Sequence, residues 1–287
     1  MGPGLSDDAG GDVGGGVPWR CPRCANPLCE DERGARCERG HVFDRAREGY
    51  LNLRVGGRLP GAPAGDSGAM LRARRALFDA GHYAPVLRAV AEMAIAREPK
   101  PAVVLDAGCG EGSYLAAIDA PTRLGIDIAK DGVRMAARRH RDVRWAVASS
   151  YRLPLADDSV DVVVSVFAPR PFGEFGRVAR AGGVAVIASP GPDHLDGLTT
   201  LIYGAPRPHE QRTHAAGGDA RDDAPLGPPV ARQRIRYRLA LTSANDVGNL
   251  LQMTPYWWQA SEAQRHAISA RNELATIVDV IVTAHTI

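Results

Sequence analysis

Lysine is nearly absent from this chain of 287 residues: of 35 basic residues only Lys100 and Lys130 are lysine, leaving 33 arginines. Asp and Glu number 33, so the formal net charge is only +2 and the charge balance by itself proves no polyanionic partner. Cysteine is scarce as well, and five residues are too few for a disulfide scaffold in a chain of this size. No apolar run approaches the roughly 18 residues that cross a bilayer, and no basic-then-apolar leader opens the chain. Membrane and secreted classes are excluded on these grounds, and a cytoplasmic protein is expected. A composition of 45% hydrophobic and 24% charged residues also excludes wholesale disorder.

What is present divides unevenly. Residues 1–18 are Gly-rich without apolar periodicity and are expected to form a disordered tail. Residues 19–55 hold a Cys/His segment with its own logic. Residues 56–98 begin as a Gly/Pro linker and continue as helix, with Leu71, Leu77, Val86, Leu87, Val90 and Met93 on one face and breaks near Gly81 and Pro85. From residue 99 to 287 strands alternate with helices, which predicts an α/β domain with a parallel sheet and helices on both faces. The expected strands cover residues 103–105, 123–128, 143–148, 160–167 and 183–189, with 235–241 and 275–285 closing the sheet. Residues 204–231, rich in Gly, Pro, Asp and Arg, read as a mobile insertion.

The Cys/His segment carries Cys21-x-x-Cys24, then Cys37 and His41. Two cysteines at this spacing form a knuckle with convergent sulfurs, and a second pair across a hairpin completes a tetrahedron for structural Zn2+. No position is left open for a catalytic metal. In so short a segment the metal supplies most of the folding free energy. Cys29 lacks a matching partner and reads as a free thiol.

After the strand at 103–105 comes Asp106-Ala-Gly108-Cys-Gly110-Glu111-Gly112. Glycines here let the chain turn tightly and bring backbone N–H groups close to a ligand. Asp127 ends the next strand, where a carboxylate accepts hydrogen bonds from ribose hydroxyls. This pairing resembles the S-adenosylmethionine-dependent methyltransferases of class I, with a Rossmann-like domain. The likeness continues at Ala148-Ser149-Ser150, where an adenine edge is read, at Asp157–Asp161 before the fourth strand, and at Gly182-Gly183 before the fifth.

Both halves together resemble the large-subunit (23S) ribosomal RNA (guanine-N1)-methyltransferase family, which joins an N-terminal zinc module to such a domain. The matching residues include the four metal ligands, Glu48-Gly-Tyr-x-Asn-Leu53, Asp79-Ala-Gly-His-Tyr83, the glycine loop, Phe167-Ala168-Pro169, Pro190–Leu195 and Leu250–Pro255. The resemblance implies that Cys21, Cys24, Cys37 and His41 bind zinc and that the module helps recognise a ribosomal RNA hairpin. It implies that Tyr83, Gly110, Glu111 and His194 contact S-adenosylmethionine alongside Asp106, Gly108, Gly112 and Asp127, and it suggests a homodimer. The arginine-for-lysine bias fits a GC-rich genome. It points to the Gram-positive branch that contains the tylosin and mycinamicin resistance methyltransferases, and so to a role in macrolide resistance.

Phe167 follows the fourth strand and is expected to stack on an extruded guanine. Guanine N1 carries a proton that some acceptor must take; Asp193, His194 and Glu174 are candidates and nothing in the sequence selects one. Basic clusters at Arg72–Arg75 and Arg232–Arg238 suit an RNA partner, the second by placing arginines on one face of a strand. Arg138–Arg144 reads as a solvated helix end. The rival reading is a methyltransferase acting on a small molecule such as an antibiotic or quinone precursor. The zinc module and the arginine groups argue against it.

Overall fold

The structure, a computed structural model, describes residues 18–56, 65–96, 100–209 and 226–287. The expected tail, apart from Pro18, lies outside the described residues, as do residues 210–225 of the expected insertion and 57–64 and 97–99 of the segment before the catalytic domain.

The N-terminal segment forms a small antiparallel sheet of β1 (Cys29–Glu30), β2 (Gly34–Arg36) and β3 (Val42–Asp44). Next comes β4 (Leu51–Asn52), which leaves this sheet and pairs with the catalytic domain. Two helices follow. Ser67 caps α1 (Gly68–Asp79), its hydroxyl accepting the Met70 N–H at 3.3 Å. A turn through Gly81 at φ +79° separates it from α2 (Ala84–Ile95). Pro85 therefore starts the second helix rather than breaking one, since a first-turn residue needs no N–H partner.

The remaining elements are β5 (Val103–Ala107), α3 (Ser113–Ala116), β6 (Thr122–Asp127), α4 (Lys130–Arg139), β7 (Arg144–Val147) and β8 (Val160–Val166). They continue with α5 (Phe172–Val178), β9 (Ala179–Pro190), α6 (Asp196–Tyr203), β10 (Ala231–Leu241), α7 (Ala244–Gln252), α8 (Tyr256–Gln259), α9 (Glu262–Ser269) and β11 (Leu274–Thr286). The main sheet has the order β10-β11-β9-β8-β5-β6-β7-β4. Strands β4 to β9 within it run parallel, as the apolar runs predicted. The sheet is nevertheless mixed, because β11 inserts between β9 and β10 and runs against both.

Strands buried on both faces read as near-continuous Val/Ile/Leu runs, which is why β5 and β8 are visible in the sequence. One face packs on α1, α2, α4 and α7 through Leu77, Val86, Val90, Val133, Val247 and Leu250. The opposite face packs on α5 and the zinc segment, where Phe175, Trp19, Leu28 and Phe43 meet Leu105, Leu124 and Ile187. Among the described residues no helix is long and apolar enough to cross a membrane.

Candidate zinc centre and cofactor site

The zinc segment builds two similar turns. In the first, the Cys21 carbonyl accepts the Ala25 N–H at 2.8 Å, and Ala25 takes the left-handed conformation with φ +61°. In the second, Gly40 at φ +78° lets the chain double back so that the Cys37 N–H reaches the His41 carbonyl at 3.1 Å. The two turns bring Cys21, Cys24, Cys37 and His41 together, with their ligand atoms all within 4.8 Å of one another. His41 Nδ1 lies 3.4 Å from the sulfurs of both Cys21 and Cys37, and the Cys24 and Cys37 sulfurs are 3.7 Å apart. A tetrahedral Zn2+ with ordinary bond lengths needs S–S edges of about 3.8 Å and S–N edges of about 3.6 Å. The set fits a closed structural zinc site. Cys29 is exposed on β1 and stands apart from it.

The glycine loop lies between β5 and α3 at the carboxyl ends of the parallel strands, where ligands bind in such sheets. Gly108 has φ +99°, and a Cβ there would lie 2.5 Å from that of Ala168. Gly110, at φ +53°, faces the Arg74 guanidinium. Gly112 instead turns toward the core, where a Cβ would meet Trp145 and Ala136, so packing demands glycine there.

Asp106 sits beneath this loop with 1% of its surface exposed, and neither carboxylate oxygen has a hydrogen-bond partner. Burial, with Asp127 and Glu111 nearby, pushes its carboxyl up to about 8. The other buried, unpartnered side-chain polar atoms among the described residues are the hydroxyls of Tyr83 and Tyr114. Both rings flank Phe78, with centroids 5.3 and 5.5 Å from it. Each such atom costs about 1–3 kcal/mol when left unsatisfied, so their gathering around one loop marks a place held for a polar ligand. S-adenosylmethionine, with its cationic amino-acid portion, fits this donor and acceptor set.

Asp127 ends β6 as expected. Its carboxylate accepts the N–H groups of Gly110 at 2.8 Å and Ala129 at 2.7 Å, one on each oxygen, which ties the loop to the strand end. Each oxygen keeps a second lone pair for a ligand hydroxyl. The Glu111 side chain is turned away, held by Arg75 Nε at 2.9 Å and the Ser113 hydroxyl at 2.9 Å, leaving the Gly110–Glu111 peptide as the part available to a ligand. Ser149 Oγ accepts the Tyr151 N–H and so caps the short 3-10 turn at Ser150–Arg152.

Phe167 follows β8 in the left-handed conformation (φ +52°) and is 42% exposed. Its ring stacks on His194 at 5.7 Å. A non-glycine residue held this way costs about 1–3 kcal/mol and is retained where the surroundings dictate it. Of the proton-acceptor candidates, Glu174 is removed from the site: it binds Arg177 through both oxygens and caps the Leu153 N–H at 2.7 Å. His194 lies against the Phe167 ring, and Asp193, its chain neighbour, is held by Arg236 at 3.1 Å.

The arginine clusters separate as well. Arg72 is exposed, but Arg74 pairs with Asp66 at 2.5 Å and Arg75 with Glu111 at 2.9 Å. These two brace the glycine loop, which corrects their reading as part of an RNA-facing cluster. Arg134, Arg138 and Arg139 pair with Asp131, Glu48 and Asp79 around α4, an ordinary solvated helix end. Sequence reasoning missed Tyr114 and Arg74 at the glycine loop and Asp279 behind the His194 loop. Tyr114 had a signal, since it lies two residues past the last loop glycine.

Residues 19–54 match the zinc ribbon described as RlmA, N-terminal, and residues 104–183 match a methyltransferase domain. The chain is similar to the 23S rRNA (guanine(748)-N(1))-methyltransferase of Streptomyces fradiae, 39% identical over 247 residues, spanning 83% of this chain and 85% of that protein. A relative from Micromonospora griseorubida is 36% identical over 282 residues, 90% of this chain and 93% of its own length. One from Bacillus subtilis is 33% identical over 278 residues, covering 91% and 94%.

Proposed function

The chain belongs to the large-subunit ribosomal RNA (guanine-N1)-methyltransferase family, and from that premise we propose that it methylates N1 of a guanine in a hairpin loop of 23S ribosomal RNA. The observation that carries the cofactor half of this reading is the buried, unpartnered Asp106 carboxylate beneath the glycine loop. Bound against that loop, S-adenosylmethionine supplies a methyl group already activated on a sulfonium, so little covalent chemistry is asked of the protein.

The chain's residues bind, orient and shield. Asp106 is placed to meet a cationic group, with the Tyr83 and Tyr114 hydroxyls completing a polar cradle. The Gly110–Glu111 peptide lines the loop, and the spare lone pairs of Asp127 suit ribose hydroxyls. Phe167 offers an exposed ring for an extruded guanine, and His194 backs that ring. The N1 proton must leave before the nitrogen lone pair can accept a methyl group; the Asp193 carboxylate, which also accepts from Arg236 at 3.1 Å, is the acceptor candidate that remains, since His194 Nδ1 already accepts the Asp279 N–H.

The likeness to the Streptomyces fradiae protein supports guanine 748 as the position modified. Methylating that edge removes a hydrogen-bond donor and adds bulk, and we propose macrolide resistance as the consequence. The resemblance also favours a homodimer that cradles the hairpin, in the cytoplasm. Methyl transfer from labelled S-adenosylmethionine to unmodified 23S ribosomal RNA, mapped by primer extension, tests the reading. A single stop at one hairpin guanine is expected, because N1 methylation blocks pairing. Cofactor binding without transfer to RNA overturns the substrate assignment.

A further inference from the structure

The edge strand β10 carries four arginines at alternate positions: Arg232, Arg234, Arg236 and Arg238, all exposed. The alternate positions point the other way, and of these Ile235, Leu239 and Leu241 are buried in the core under α2. Cross-strand partners in a sheet share a face. Arg232 lies opposite Thr283 of β11, and Thr283 lies opposite Ile187 of β9, whose side chain belongs to the core shared with α5 and the zinc segment. The arginine row and the zinc segment therefore occupy the same face of the sheet, the row at one edge and the segment beyond α5 toward the other.

The row is also joined to the active-site edge. Arg234 binds Asp279 through both oxygens, at 2.7 and 2.8 Å, and Arg236 reaches Asp193 at 3.1 Å, next to His194. Among the described residues Arg232 and Arg238 have no ion-pair partner. Two of the four arginines are thus anchored beside the loop that carries Asp193, while the outer two present their charge to solvent. Alternate strand positions lie about 6.8 Å apart, so the row extends roughly 20 Å.

We infer that this row is a track for the sugar-phosphate backbone of RNA flanking the target guanine, running along β10 toward Phe167. The inference deepens the ribosomal RNA reading above and rests on it. Arginine forks match phosphate oxygens, a strand spaces them regularly, and interactions of this kind set register without reading sequence.

The test compares Arg232→Ala/Arg238→Ala with Arg88→Ala/Arg141→Ala, which removes the same charge from α2 on the opposite face and from the loop before β7. The probe is an unmodified 23S ribosomal RNA hairpin transcript, titrated at several salt concentrations. For the β10 pair, the slope of log affinity against log salt should fall by about 1 for each phosphate that is no longer neutralised. Its KM for RNA should rise roughly tenfold at physiological salt. Its kcat at saturating RNA, its cofactor affinity and its thermal unfolding should stay unchanged. The control pair should keep the wild-type salt slope. An unchanged slope in the β10 pair, or an equal change in the control pair, overturns the track. A loss of affinity that ignores salt also overturns it, because neutralised phosphates must show in the salt slope. Failure of the unaltered protein to methylate RNA is a different result, visible before any variant is made. It removes the proposed function and the track together.

Discussion

The backbone N–H of Asp279 donates to Nδ1 of His194 at 3.2 Å, joining the last strand to the loop that follows β9. With Nδ1 as acceptor, a neutral imidazole carries its proton on Nε2. The Asp279 carboxylate meanwhile accepts the Asp193 N–H at 3.1 Å and both arms of Arg234. A side chain at Gly191 would fall onto that carboxylate, so the loop can close only over glycine. One fully buried aspartate therefore positions His194, which stacks on Phe167, and its neighbour Asp193.

Breaking this clasp should cost stability in a pH-dependent way. Burial opposes ionisation of Asp279, but the Arg234 hydrogen bonds and charge outweigh it and hold the carboxyl below the ordinary range. A depressed carboxyl contributes stability that is present above its unfolded value near 4 and is lost as pH falls through the folded value. Arg234→Ala leaves the buried Asp279 charge uncompensated and should lower stability at pH 7. The difference from wild type should shrink as pH approaches 3. Urea melts at pH 7 and pH 3 read it, and a difference that ignores pH would rule out the electrostatic account.

Asp106 titrates in the opposite sense. Its carboxyl is raised to about 8, so in the absence of ligand it is protonated at neutral pH. Its contribution to stability is full below the unfolded value near 4 and is lost as pH rises through 8. If the ionised form holds the cationic end of S-adenosylmethionine, binding releases a proton. Affinity should then climb about tenfold per pH unit below 8 and flatten above it. Calorimetry in buffers of different ionisation enthalpy measures the proton directly. Asp106→Asn should weaken binding and abolish the slope, whereas a slope retained in that variant would place the proton elsewhere.

Zinc removal tests the N-terminal centre. The ligand atoms lie at tetrahedral spacing around a segment whose few buried apolar residues include Trp19, Leu28 and Phe43. Structural zinc contributes on the order of 10–16 kcal/mol to small domains of this kind. Chelation or Cys37→Ser should expose Trp19, read as a red shift in its fluorescence. Cys29→Ser should retain one zinc per chain. A metal content halved by Cys29→Ser would place that thiol in the ligand set.

Local physics explains what the sequence disclosed. Strands buried on both faces announce themselves as apolar runs, the glycine loop needs positive φ at Gly108 and Gly110, and Cys-x-x-Cys geometry is short-range. What escaped depends on partners far along the chain. Leu51–Asn52 becomes a strand only because β7 offers it an edge, and nothing in two residues can say so. Arg74 and Arg75 read as surface cations until Asp66 and Glu111 are found beside them. Asp279 was the legible exception that went unread. A lone carboxylate inside the run Thr276-Ile-Val-Asp-Val-Ile-Val282 must be paired, and the alternating arginines of β10 held its partner.

Phe167 decides whether the site handles a base. The residue is 42% exposed yet its ring is braced by His194, and its backbone is held at φ +52° while its N–H donates to the Ala188 carbonyl at 3.1 Å. An exposed aromatic ring fixed by a strained backbone is preorganised, so stacking a base on it costs little ordering. Stacking of this kind is worth about 1–3 kcal/mol per base. Phe167→Ala should therefore lower kcat/KM for the RNA hairpin by roughly 5- to 150-fold, and Phe167→Trp should restore most of it. Cofactor affinity should not change in either variant. Equal losses in the alanine and tryptophan variants would show that the position serves packing, and would move the base platform away from the end of β8.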